Sequence, residues 1–196
     1  MHPLKRALIW LSRIRYCRGF GVQSPTDYRF VRYVVNEHYP YYQYEELEQK
    51  KPGLDTLTRK LCRLYFRLSN YCQSDVFVDV LPDTDAYGTY VTAACHKTKV
   101  YAVNNTEARL VFKQSSPYLV RASYTPGTER LLSQLMAHAT EGSVVVVQGI
   151  KESREARRCW ESLCEDSRVG AAYDLYYCGI IIIDNRRYKK KYIINF

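Results

Sequence analysis

"VFVDVLPDTDAYGTYV", residues 76–91, runs from a short apolar segment through an acidic, proline-bearing turn into a stretch of helical character. Val76, Phe77, Val78 and Val80 put apolar side chains on both faces of an extended chain, the pattern of a strand covered from both sides. Nucleotide-binding α/β proteins build the loop after such a strand on glycine. Here the turn holds Leu81, Pro82, Asp83, Thr84 and Asp85, and Gly88 comes only later.

The same alternation extends outward. "KVYAVN", "YLVRA" and "SVVVVQG" read as short apolar runs of strand type, while "LDTLTRKLCRLYFRLSN", "AYGTYVTAACHK", "TEARLVFK", "GTERLLSQLMAHA" and "SREARRCWESLCED" read as helices. Thr128 is the expected cap of the fourth of these helices, after Pro126. "VGAAYDLYYCGIIIID" reads as two strands with a short turn, and "KKYIINF" as one strand more. The expected fold class is therefore α/β, a mostly parallel sheet closed by an antiparallel hairpin. The tyrosine-rich residues 37–53 form a connector, dividing the chain into a helical extension over 1–53 and a main domain over 54–196. In the extension, Leu4, Ala7, Leu8, Leu11 and Ile14 recur at helical spacing. Such a short stripe is expected to pack on the domain, the alternative being an anionic surface.

The chain has 196 residues, 46% of them hydrophobic, enough for one well-cored domain. Its formal charge of +9 sits at the ends: residues 1–33 carry seven lysines and arginines against Asp27 alone, and residues 186–191 carry five. Basic termini favour polyanions such as nucleic acid or anionic lipid, and they also serve solubility. The seven cysteines lack a CxxC pair and the four histidines lie apart from any cysteine doublet, which indicates no metal and fits free thiols in the cytoplasm. The apolar run near the N-terminus is flanked by basic residues and is too short for a transmembrane segment or a signal peptide.

Three stretches carry a family likeness. "GFGVQSPTDYRFVRYVVNEHYPYYQYEELE" (residues 19–48), "ATEGSVVVVQGIKESREARRCWESLCEDSRV" (139–169) and "YDLYYCGIIII" (173–183) resemble small class I S-adenosylmethionine-dependent methyltransferases of bacteroidete type. The resemblance implies a Rossmann-like class I methyltransferase fold with an N-terminal helical extension. It also implies S-adenosylmethionine as cofactor, with Asp79 as the acid that ends the first strand. Asp83 stands in the loop where small residues belong, Gly88 is the remaining glycine, and Asn104 replaces the carboxylate that grips the ribose. The family's Asp-Gly-Asn-His run is replaced by Ala122 to Thr125, and its Asp-Asp followed by Ile-His-Trp by Gln148 to Glu152. Residues 105–117 are short for the family's third strand and its connections.

These departures lead to the expectation of a methyltransferase-like protein with reduced or lost catalysis. The alternatives are an active enzyme with an atypical loop and a basic module that binds nucleic acid or anionic lipid. Leucine and proline in the turn are expected to hinder positive φ and the close approach of a ligand. The local reading makes Thr84 or Asp85 the cap of the following helix and Asp83 a solvated turn residue. Gly19 and Gly21 interrupt the basic helix, and Ser24, Pro25 and Asp27 open the next one.

Overall fold

The computed structural model describes residues 3–37, 39–108 and 116–196. Among the described residues seven strands form one sheet: β1 (Val76–Val80), β2 (Lys99–Val103), β3 (Leu119–Ser123), β4 (Val144–Gln148), β5 (Val169–Asp174), β6 (Cys178–Ile183) and β7 (Lys190–Ile193). Their order across the sheet is β2-β1-β3-β4-β6-β5-β7. Only β6 runs against the rest, pairing antiparallel with β4 and β5. This is a Rossmann-like α/β fold with a terminal hairpin, preceded by a helical extension. The expected "TEARLVFK" helix lies largely outside the described residues.

Alternation along each strand splits the core between the two faces of the sheet. Phe77, Leu119, Val144, Val146, Ile180 and Ile182 face one side. There they meet α2 (Pro25–Phe30), α3 (Gln43–Lys50), α4 (Thr56–Cys72) and α5 (Ala86–Ala94). Val78, Val120, Val145, Val147 and Ile181 face the other side, under α6 (Thr128–His138) and α7 (Arg154–Glu165). Phe30, Val31, Val34, Val35, Tyr44 and Leu47 belong to the first of these cores, so residues 25–50 share the packing of the main sheet.

α4 is the central element of that side. The Asp55 carboxylate accepts from the Leu57 N–H at 2.9 Å and caps the helix. Leu61, Leu64 and Leu68 are buried, each stabilising the fold by about 1.5–3 kcal/mol relative to exposure. In α7, Ser153 plays the same capping role toward Ala156. α6 departs from expectation: its N-cap is Gly127 at φ +93°, and Thr128 is already helical, its hydroxyl turned back to accept from the Thr125 N–H. A residue with no Cβ takes the left-handed corner and leaves the threonine free for the loop.

The first helix, α1 (Pro3–Ser12), also departs from expectation. Its stripe faces outward, with Leu4 64%, Leu8 58% and Leu11 55% exposed. Polar tethers set that orientation. Arg13 donates to the Asp174 carbonyl at 2.9 Å and carboxylate at 2.8 Å, and the Asn195 amide donates to the Trp10 carbonyl at 3.1 Å.

Asp27 does more than open a helix. Ser24 accepts from the Asp27 N–H and caps α2, while the Asp27 carboxylate, fully buried, accepts from Tyr173 at 2.7 Å, from Tyr192 at 2.9 Å and from Arg187. The segment after the glycines is thereby joined to β5, β7 and the turn between β6 and β7 through one carboxylate. Although burial opposes ionisation, the Arg187 guanidinium and the two phenols hold the carboxyl below its ordinary value.

Candidate functional site

The site lies beyond the carboxyl ends of β1, β3 and β4, where open α/β sheets bind ligands. At its centre is Arg121, a wholly buried side chain on β3 that points to the α4/α5 side. β1 pairs with β3 so that Asp79 stands directly opposite Arg121. One guanidinium nitrogen donates to the Asp79 carboxylate at 3.1 Å and to the Leu81 carbonyl at 2.9 Å. The other donates to the Asp83 carboxylate, to Ser123 Oγ at 2.7 Å and to Gln148 Oε1 at 2.9 Å. The Tyr87 ring lies 4.6 Å from the guanidinium carbon, a cation–π contact. Gln148 in turn donates to the Tyr65 hydroxyl at 3.0 Å.

A buried cation is tolerated only when its donors are satisfied and its charge is matched. Both conditions shape the loop, which serves the two terminal nitrogens of Arg121, while its Nε has no partner among the described residues. Leu81 takes φ +51°, the left-handed conformation that leucine was expected to hinder, and its carbonyl turns toward Arg121. The carbonyl's bond to a charged donor offsets a conformational cost of about 1–2 kcal/mol. The turn thus keeps a positive φ without glycine.

Asp79 is buried, and burial raises its carboxyl to about 6 against the opposing charge of Arg121. Asp83 is 60% exposed on its side chain yet bonded to Arg121, so it is a partnered turn residue and not merely a solvated one. Thr84 Oγ1 accepts from the Ala86 N–H at 3.2 Å, whereas the Asp85 carboxylate pairs with Lys51 at 2.5 Å. Asn104 follows β2 and is exposed. Gly88 lies within α5, where a Cβ would stand 3.3 Å from a Val100 methyl on β2, so its place is helix-on-strand packing. Of the four residues singled out from the sequence, the structure joins Asp79 and Asp83 through Arg121 and leaves Asn104 and Gly88 outside that cluster. Arg121, Tyr65 and Gln148 complete it.

Beside this cluster is a hollow of about 780 Å³ whose lining includes Asp83, Tyr87, Gln148, Lys151, Glu152 and Tyr177. Its Lys151 is tied to Asp174 at 2.7 Å, and the Gly149 N–H donates to the Tyr177 carbonyl at 2.9 Å. Among the described residues no three histidine, cysteine or acidic side chains converge as metal ligands, and no helix is long and apolar enough to cross a membrane. The chain matches no protein-family model and no curated protein.

Proposed function

We propose that this chain is a class I methyltransferase-like protein that no longer holds S-adenosylmethionine. The observation that carries the reading is the Arg121 guanidinium seated among Asp79, Asp83, Ser123 and Gln148. S-adenosylmethionine presents a sulfonium and an ammonium to its site, and here an internal cation already engages both carboxylates that would attract them. The same guanidinium occupies the end of β3 beside Asp79 and offsets one of the two negative charges. With Asn104 exposed at the end of β2, the ribose contact has no preset partner beside the cluster. The Rossmann-like sheet supports the architecture of the reading, and the occupied cluster supports the loss of chemistry.

Isothermal titration of the full chain with S-adenosylmethionine and S-adenosylhomocysteine tests this. No heat is expected up to millimolar ligand. Micromolar binding of either compound would restore an active methyltransferase with an atypical loop.

A second reading, an anionic-lipid surface module, is favoured by the outward apolar stripe of α1 together with Lys5, Arg6 and Arg15, which form no ion pair among the described residues. At the other end of the chain, Arg187 pairs with Asp27, and Lys189 and Lys191 with Glu165. Cosedimentation with phosphatidylserine vesicles, weakening with salt, is the expected behaviour on that reading; binding neither to these nor to neutral vesicles at low salt removes it.

A further inference from the structure

A second hollow, of about 550 Å³, lies between one face of α4, the 3-10 segment Ile14–Gly19 and the end of the π-helical turn Val31–Val35. It shares no lining residue with the hollow beside Arg121. Arg59, Lys60, Arg63 and Arg67 recur along α4 so that all four reach it, and Arg18 closes it from the 3-10 segment. Against these five cations the lining offers one side-chain carboxylate, Glu37.

The cations are poorly compensated. Arg63 pairs with Glu48. Arg67 spends its donors on the Val34 and Val35 carbonyls, at 2.5 and 3.1 Å, and on the Tyr44 hydroxyl, which orient it without cancelling its charge. Arg59 donates to the Leu54 carbonyl at 3.2 Å. Lys60 lies over the Phe196 ring at 4.1 Å. Burial first, and the nearby Arg6 and Arg67 charges second, lower its ammonium to about 8. An independent feature points the same way: Asn36 is 9% exposed and lines the hollow, and its amide nitrogen, enclosed at the wall, donates to no partner among the described residues. A buried amide N–H₂ without an acceptor is costly. An anion supplies the missing negative charge, and an acceptor once the Asn36 amide turns toward the hollow.

We propose that this hollow binds the diphosphate group of a small phosphorylated ligand, with Arg59, Lys60 and Arg18 matching its charge and Asn36, turned into the hollow, donating to a phosphate oxygen. The size is within the range of small-molecule sites. Arg67, held by carbonyls, fixes the wall. This site stands apart from the methyltransferase-like reading and survives its failure.

The test is isothermal titration of the full chain with inorganic pyrophosphate and, separately, with ADP, at low salt and neutral pH. Submillimolar dissociation constants are expected, ADP binding at least as tightly, and both weakening as salt rises. Arg59→Gln combined with Lys60→Gln should weaken binding at least tenfold, and Arg18→Gly, at an exposed residue with φ +53° that glycine accepts, several-fold without loss of fold. Lys151→Gln in the other hollow should change nothing. Absence of heat with both probes, undiminished affinity in Arg18→Gly and the double variant, or loss through Lys151→Gln would each overturn the assignment.

Discussion

Arg121 and Asp79 face each other across adjacent parallel strands 3.1 Å apart, and neither side chain is more than 4% exposed. Breaking such a pair leaves an uncompensated buried charge, whereas removing both charges does not. Arg121→Met is expected to destabilise the protein by about 3–5 kcal/mol in urea unfolding. Adding Asp79→Asn should recover part of that loss, a coupling of roughly 0.5–3 kcal/mol. Simply additive effects would show the two groups to be independent.

Asp27 links stability to acid. Its folded pKa lies below its unfolded value, so its contribution is fully present above about pH 4 and disappears as pH falls through the folded value. Thermal unfolding between pH 5 and pH 2 should show a steep loss that is shallower in Asp27→Asn. That variant starts from lower stability at neutral pH, because Arg187, Tyr173 and Tyr192 keep their polar groups but lose a charged acceptor.

Lys60 acts at the other end of the scale. A lysine lowered to about 8 destabilises the folded state while charged, so stability should rise between about pH 8 and pH 10 as the folded form loses its proton first. Lys60→Met should remove that rise and raise the melting temperature at pH 7. A flat wild-type profile in this window would contradict the burial of the ammonium.

Gly179 of β6 lies under Trp160 of α7, where an added Cβ would come within 2.4 Å of the indole ring. Gly179→Ala is expected to cost about 1–3 kcal/mol through overpacking. The same change in a Trp160→Leu background should cost less, measured by the shift in urea midpoint.

The outward stripe of α1 has its own check. Leu8→Ser and Leu11→Ser should each alter stability by less than about 0.5 kcal/mol, since exposed apolar side chains lose little on replacement. A loss of about 2 kcal/mol or more would place the stripe against the domain.

Strand and helix placement was legible from periodicity, because burial on both faces of a parallel sheet leaves continuous apolar runs such as "VVVV" in β4. Asp79 was visible for the same reason: a carboxylate inside "VFVDV" has no easy surface explanation. The matching signal in "YLVRA" was equally present, an arginine within an apolar strand, but it gains meaning only when the two charges are seen to face each other. The outward turn of α1 was hidden because amphipathicity gives the apolar face of a helix but not what covers it.

The order of amino acids was enough for the alternating elements, the closing hairpin and the acidic turn, since these follow from local periodicity and turn chemistry. Strand adjacency and long-range contact had to settle the rest. They set Arg121 against Asp79, Asp27 against Tyr173 and Tyr192, and five cations around one hollow. Charges interact through distance and desolvation, and in a folded chain neither is a function of separation along the sequence.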